Sequence, residues 1–133
     1  MQDLFIFTYK IMEIEYQILL ILFIHWIADF VLQTKSMGTL KSSSLYWLTL
    51  HVITYTTVWF IAGRIFGFGL IPVIKFSIVT FIIHWITDFF TSRWTKSLRE
   101  NEKYYNFLGF FTVIGLDQWL HYVQLILTYK FLK

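Results

Sequence analysis

Four apolar stretches, separated by polar or basic segments, dominate the pattern along the chain. Each is close to the roughly 20 residues that a helix needs to cross about 30 Å of hydrocarbon. Lipid-facing strands would alternate polar and apolar residues over about ten positions, and these runs do not. The pattern therefore predicts an all-α polytopic membrane protein, a single-domain bundle of four transmembrane helices. The predicted spans are residues 16–33, 45–63, 70–90 and 107–129.

Consecutive spans run in opposite directions, so both termini and the second loop fall at one end of the bundle, which we call side A. The first and third loops fall at the other end, side B. Lysine and arginine are almost evenly divided, with Lys35, Lys41, Arg93, Lys96, Arg99 and Lys103 on side B and Lys10, Arg64, Lys75, Lys130 and Lys133 on side A. The positive-inside rule thus favours a cytoplasmic side B by one residue, and the near-tie also fits a dual-topology homo-oligomer. No small-residue cleavage site follows the first span, so we expect that span to be retained.

The composition supports a membrane protein and narrows its chemistry. Hydrophobic residues make up 57% of the chain, and charged residues only 14%, whereas soluble domains carry roughly 25% charged residues. A solvated globule and a disordered chain are therefore excluded. The absence of cysteine excludes disulfides, thiolate metal ligands and a cysteine nucleophile. The net charge of +3 suits a lipid bilayer with anionic headgroups, and we expect no nucleic acid as a partner.

A short motif occurs twice, as HWIADF at residues 25–30 and as HWITDF at residues 84–89. In both copies the histidine and the aspartate are four positions apart, which places them on one face of a helix. The fourth span carries the reversed pair, Asp117 and His121, and His51 lies early in the second span. Counting about 1.5 Å per residue puts the first two pairs and His51 at similar depths in the side B half. We expect one pocket opening to side B, with the Asp117 pair as its floor.

Ionisable groups inside the hydrocarbon are costly, and a divalent cation would compensate several of them at once. Imidazole and carboxylate without sulfur suit zinc, manganese or iron. We expect His25, Asp29, His84 and Asp88 as the first ligands, His51 and His121 as further ligands, and Asp117 as a ligand or the catalytic base. Water on such a metal becomes a nucleophile near neutral pH. The simplest alternative is that the pairs only fasten the helices together through hydrogen bonds.

Other functions fit the same residues. The histidines and aspartates could relay ions in a proton- or metal-ion-coupled transporter or channel, or a histidine pair could hold a haem. A lysis factor or a partner of a larger host complex is also compatible with this small size. Because the side A half is nearly all apolar, a one-sided pocket is favoured over a transport path. The cations of the third loop could bind an anionic lipid or phosphate group, or they could simply be solvated: Arg93, Lys96, Arg99 and Lys103.

The ordered motifs H-x3-D-x3-Q, H-x3-D and D-Q-x2-H resemble a family of small bacterial and phage integral membrane proteins of unknown function, domain of unknown function 3307. The residues that carry the likeness are His25, Asp29, Gln33, Lys41, His51, His84, Asp88, Asp117, Gln118 and His121. The resemblance implies a bacterial inner membrane protein and no particular activity. More distantly, the chain looks like four-span membrane-bound metal-dependent hydrolases. Together these features predict a metal-dependent enzyme that hydrolyses a lipid-linked or amphipathic substrate.

Overall fold

The computed structural model describes the backbone of residues 2–132 and the side chains of residue 6 and residues 13–132. Every regular element in this part of the chain is helical. The long helices are α1 (Gln2–Trp26), α3 (Leu45–Ile65), α4 (Leu70–Glu100) and α5 (Phe110–Thr128). Between α1 and α3 lie a π-helical turn, Ile27–Val31, and the short helix α2, Lys35–Leu40. A 3₁₀ turn, Tyr129–Leu132, follows α5.

Three segments are long and apolar enough to cross a membrane: Glu13–Val31, Leu45–Ile65 and Leu70–Glu100. These segments are consistent with a membrane protein. The fourth predicted span is also a helix, α5, and it packs along α4. However, the mean hydropathy of α5 is lowered by Asp117, Gln118 and His121. By composition α5 is therefore not among the segments apolar enough to span a membrane.

Several element boundaries differ from those predicted. The third span was predicted to end at residue 90, but α4 continues to Glu100. The added turns satisfy their own polar groups, since the Thr95 hydroxyl donates to the Thr91 carbonyl (2.9 Å) and Lys96 pairs with Glu100 (3.8 Å). A polar sequence can therefore continue a helix beyond its apolar run. At the other end of the connection, α5 begins at Phe110 rather than at residue 107.

The first span and the first loop also contain structure that hydropathy did not predict. The first helix begins at Gln2, well before the predicted start at residue 16. The predicted loop at residues 35–44 contains α2, whose first turn is capped by the Thr34 hydroxyl accepting from the Met37 amide (3.3 Å). Capping of this kind stabilises short helices at their start.

The side A half of the bundle contains the apolar core. Its buried side chains come from α1, α3, α4, α5 and the final turn, and include Ile21, Trp59, Val73, Phe76, Leu125 and Leu132. The α3 and α4 helices approach closely there: a Cβ atom at Gly63 would lie only 2.9 Å from Val73 Cγ2. This core fixes the four long helices against one another at side A and leaves their side B halves to position polar groups.

Candidate metal centre

The π-helical turn after α1 places the first aspartate of the cluster. The Leu32 amide donates to the Ile27 carbonyl (3.0 Å), five residues back, instead of four. One extra residue in the turn rotates the side chains on either side relative to a regular α-helix. Asp29 lies in this turn with only 2% of its surface exposed. Its carboxylate consequently points into the bundle toward α3 and α4.

Asp29 meets two histidines from different helices. His51 Nε2, from α3, lies 3.0 Å from Asp29 Oδ1, and His84 Nε2, from α4, lies 3.8 Å from the same oxygen. The two Nε2 atoms are 3.3 Å apart. All three side chains are buried. The three atoms therefore form a compact triangle that could hold a metal ion.

Asp88 extends the cluster on the opposite side. Its Oδ2 atom lies 3.3 Å from His51 Nε2 and 3.7 Å from His84 Nε2. Its Oδ1 atom lies 3.6 Å from Nε2 of His121, on α5. The groups of His84, Asp88 and His121 form a second set that could hold a metal ion. The two sets share His84, whose ring stacks on Tyr55 (3.9 Å between centroids) and lies 4.1 Å from the tilted ring of His121.

His25 is held differently from the other three histidines. Its Nε2–H donates to Gln118 Oε1 (2.9 Å), and its Nδ1 accepts from the Tyr55 hydroxyl (2.8 Å). Both ring nitrogens are thus occupied, even though His25, Asp29 and His121 also lie close enough to hold an ion. Gln118 therefore forms a hydrogen bond between α5 and α1.

Gln118 links the first aspartate to the last. Its amide nitrogen donates to Asp29 Oδ2 (3.2 Å) and to Asp117 Oδ2 (3.0 Å). Asp117 also accepts a hydrogen bond from the Thr91 hydroxyl and lies 3.6 Å from His121 Nδ1. With 16% of its side chain exposed, Asp117 is the most accessible of the three aspartates in these ion-pair contacts.

One cation enters the cluster from outside the long helices. Lys41 follows α2, and its Nζ lies 2.8 Å from Asp88 Oδ2 and 3.5 Å from His51 Nε2. Burial opposes the charged form of this amine, but the carboxylates of Asp88 and Asp29 outweigh burial, so the pKa of Lys41 is raised above its usual value. The ammonium therefore neutralises part of the negative charge of the cluster.

Several polar atoms in the cluster have no hydrogen-bond partner among the described residues. They are Asp29 Oδ1, His51 Nδ1, His84 Nδ1, and both ring nitrogens of His121. Buried polar groups are normally satisfied, and an unpartnered one costs about 1–3 kcal/mol. Partly satisfied networks of this kind occur where a function or an ion accounts for the cost.

A cavity of about 180 Å³ opens from the cluster toward side B. Asp29, Asp88 and Asp117 lie on its wall, so the last of these is a lining residue rather than a deep floor. Because α5 begins three residues later than predicted, Asp117 lies nearer to side B. The cavity also contacts Lys96 and Arg99, two of the four cations predicted for an anion site. Arg93 instead stacks on Phe89, 3.8 Å from the ring centroid.

Lys41, Tyr55 and Thr91 are the cluster residues for which the sequence predicts no role from spacing. Lys41 belongs to the resemblance, yet nothing in its spacing connects it with Asp88, 47 positions later. A signal did exist for Tyr55, which lies four residues after His51 and hence on the same face of α3. Thr91 similarly lies seven residues after His84 on α4.

Fold and cluster together define an all-helical protein with three helices able to span a membrane, a buried group of four histidines and two aspartates, and a third, partly exposed aspartate beside them. The family described as "Protein of unknown function (DUF3307)" matches residues 18–133, and the chain belongs to that family. Among curated proteins and solved structures, none matches this chain.

Proposed function

We propose that the protein is an integral membrane bundle of four transmembrane helices that acts as a metal-dependent hydrolase. Its substrate is lipid-linked or amphipathic and enters the cavity on side B. The observation that carries this proposal is the spacing of ligand-type atoms from four helical segments around a buried point. Such atoms have been brought together from residues up to 92 positions apart, so local helix geometry does not account for the arrangement.

The spacing favours a metal over hydrogen bonds that merely fasten helices. Two ligands at about 2.0–2.1 Å from a tetrahedral metal stand about 3.3 Å apart. The separations within the triangle of Asp29, His51 and His84 are 3.0, 3.3 and 3.8 Å. Contacts of 3.6–3.8 Å, such as those of His121 with two aspartates, are too long for hydrogen bonds. Among these atoms, Asp29 Oδ1 and both ring nitrogens of His121 have no hydrogen-bond partner within the described residues, and a cation would use their lone pairs.

We assign Asp29, His51 and His84 as the metal ligands. Three protein ligands with one position left for water are typical of catalytic zinc sites, and manganese or iron fits the same donor set. Sequence spacing ranked His51 behind His25, whereas the geometry favours His51 because both nitrogens of His25 are already hydrogen-bonded. His121 and Asp88 remain close enough to complete the coordination.

The remaining polar residues then have separate tasks. A divalent metal held by these ligands would supply a water molecule of lowered pKa. Asp117 lines the cavity and is held by Thr91 and Gln118, so it can accept the proton of the attacking water. The water oxygen forms the new bond to the substrate, the bond to the leaving oxygen breaks, and that oxygen takes up a proton.

The test is elemental analysis of protein purified in a neutral detergent, together with an absorption spectrum. The variant His51→Gln, His84→Gln removes two ligands but retains side chains of similar polarity. Trp85→Phe is the matched control, since Trp85 is the neighbour of His84 on α4 and donates to Thr49 (3.1 Å) outside the cluster. We expect about one zinc, manganese or iron per chain in the wild type and in the control, and none in the double variant.

A folded wild type that contains no metal and cannot be reloaded would overturn the metalloenzyme proposal. A Soret band would instead indicate haem. The packing argues against haem, because the rings of His84 and His121 lie 4.1 Å apart with no gap for a macrocycle between them.

A second candidate function, a proton- or metal-ion-coupled transporter, is favoured by a separate observation. The side A half was expected to be nearly all apolar, but it contains a buried polar network. The Gln124 amide donates to Thr80 (3.1 Å) and to Thr128 (2.9 Å), and Gln124 Oε1 and the nearby buried Ser77 hydroxyl have no hydrogen-bond partner among the described residues. These groups continue from His121 toward side A along α4 and α5.

Proton flux into liposomes, followed with an internal pH dye, separates the two candidates. A transporter should lose flux in Gln124→Leu while keeping its metal content. A hydrolase shows no protein-dependent flux in either the wild type or this variant.

A further inference from the structure

The cavity on side B carries a second group of charges that the metal ligands do not use. Along α4, the stripe that begins with His84 and Asp88 continues through Ser92 and Lys96 to Arg99. Spacings of four, three and seven residues keep these side chains on one helical face. Consequently α4 contributes the buried carboxylate of Asp88 and, two to three turns further toward side B, two cations that line the same cavity.

The cations differ in how strongly they are engaged. Lys41 is held by Asp88 at 2.8 Å. Lys96 makes only a long pair with Glu100 (3.8 Å) at the surface, where such pairs contribute little. The structure records no ion pair for the Arg99 guanidinium within the described residues. Lys96 and Arg99 are therefore available to a ligand, whereas Lys41 is committed to the cluster.

The charge balance of the cavity favours an anion. Its lining contains three carboxylates, from Asp29, Asp88 and Asp117, and three cations. With neutral histidines these charges cancel, so a bound divalent cation leaves the cavity with a net charge of about +2. A group carrying one or two negative charges would restore neutrality.

Part of the cavity lining is apolar. Phe30, from the π-helical turn, and Phe110 and Ile114, from α5, form this part. Phe30 and Ile114 are also exposed on the outside of the bundle, so the apolar wall continues to the surface between α1 and α5. In a bilayer this surface faces acyl chains. The cavity therefore offers both cations and an apolar exit.

We propose that Lys96 and Arg99 bind the phosphate of an amphipathic phosphoester, with its apolar part leaving between α1 and α5. The proposal rests on the proposed function for the metal and names the substrate class of that site. Guanidinium and ammonium groups bind phosphate oxygens through charge-assisted hydrogen bonds. Hydrolysis would join the water oxygen to phosphorus and break the bond between phosphorus and the alcohol oxygen. Asp117 accepts a proton from the water, and the alcohol oxygen gains one.

The experiment measures equilibrium binding of dioctanoyl phosphatidic acid to the full chain in dodecyl maltoside, by calorimetry, in buffer that contains the metal found in the wild type. The test variant is Lys96→Gln, Arg99→Gln. The control is Arg93→Gln, which removes one positive charge from the same helix at a residue that stacks on Phe89. We expect the double variant to bind roughly tenfold or more weakly, because two charge-assisted contacts are lost, and the control to change by less than about twofold.

Two further ligands distinguish a lipid phosphate from free phosphate. Dioctanoylglycerol lacks the phosphate, and inorganic phosphate lacks the chains. Weaker binding of both than of phosphatidic acid supports an amphipathic phosphoester. Equal binding of dioctanoylglycerol would overturn the phosphate assignment, and equal binding of inorganic phosphate would overturn the lipid assignment. An equal loss in Arg93→Gln and in the double variant would show general attraction to the positive surface and would also overturn the subsite.

Metal content, measured on the same samples, separates this proposal from the one on which it rests. Metal retained in the double variant together with weakened lipid binding supports both. A wild type that binds phosphatidic acid through Lys96 and Arg99 but holds no metal would refute the hydrolase and leave the phosphate subsite standing. Metal with no preference for the phosphate would refute the subsite alone.

Discussion

The two halves of the bundle differ in the kind of side chain that fills the interior. At side A, apolar side chains such as Trp59, Val73 and Phe76 pack into a core beside the polar network of Gln124, and a helix approaches its neighbour at Gly63. At side B, the interior consists of imidazoles, carboxylates and one ammonium, several of whose atoms have no hydrogen-bond partner among the described residues. The same helices, α3 and α4, pass through both halves.

This difference indicates that stability and function are separated along the helix axes. Close packing at side A fixes the helices relative to one another. Because α3, α4 and α5 are continuous and stiff, this packing also positions their side B groups. A polar interior with unpartnered atoms contributes little to stability until something binds there. Mutations in the two halves should therefore have different signatures.

The largest effect should follow from removing a core ring at side A. We expect Phe76→Ala to destabilise the protein by about 3–5 kcal/mol, because Phe76 is fully buried against Trp59 and leaves a cavity. Thermal unfolding in detergent, followed by circular dichroism, measures the change. Ile78→Ala is the control on the same helix, since Ile78 is exposed. Equal shifts in melting temperature for the two variants would show that the side A core does not stabilise the protein more than an exposed side chain does.

The next effect concerns the cation of the side B half. Lys41→Met should destabilise metal-free protein by roughly 3 kcal/mol, because it leaves Asp88 charged and buried without its closest partner. In metal-loaded protein the loss should be smaller, since a divalent cation compensates the same carboxylates. Thermal unfolding with and without metal tests this, with the exposed Lys35→Met as the control. If Lys41→Met lowers stability equally with and without metal, the metal does not compensate the charge of Asp88.

Removing the metal should also distinguish the halves. At a metal concentration about 100 times the dissociation constant, binding stabilises the folded state by roughly 2.7 kcal/mol. We therefore expect a chelator to lower the melting temperature of the wild type and of Phe76→Ala by similar amounts. It should leave His51→Gln, His84→Gln unchanged. A chelator effect that persists in this double variant would place the ion elsewhere.

Two glycines give the smallest and most closely matched comparison. A Cβ atom at Gly63 would lie 2.9 Å from Val73, a buried and stiff side chain, so Gly63→Ala should cost about 1–3 kcal/mol. A Cβ atom at Gly115, in the side B half of α5, meets nothing within 4 Å. Gly115→Ala should accordingly stabilise the helix by about 0.5–1 kcal/mol. Shifts of the same sign in thermal unfolding would contradict this picture of packing.

Sequence spacing was sufficient for the long helices and for the histidines and aspartates of the cluster, but not for Lys41, Tyr55 and Thr91. Hydropathy locates the four long helices, of which three are long and apolar enough to span a membrane, and the i, i+4 pairs identify one face on each of three helices. It was insufficient for helix ends such as Glu100, where local hydrogen bonds extend a helix beyond its apolar run. Hydropathy also left the polar network of Gln124 unrecognised, because threonine and glutamine scattered at helical spacing barely change an average.

Only the tertiary structure decided how the cluster residues divide their roles. It directs Asp29 inward through a π-helical turn, occupies both nitrogens of His25, and brings Lys41 to Asp88 across 47 positions. The periodicity of one helix specifies which residues share its face, but the rotation of that face toward its neighbours follows from packing elsewhere in the bundle. The sequence by itself thus determined which groups enter the interior, and the packing at side A determined which of them meet.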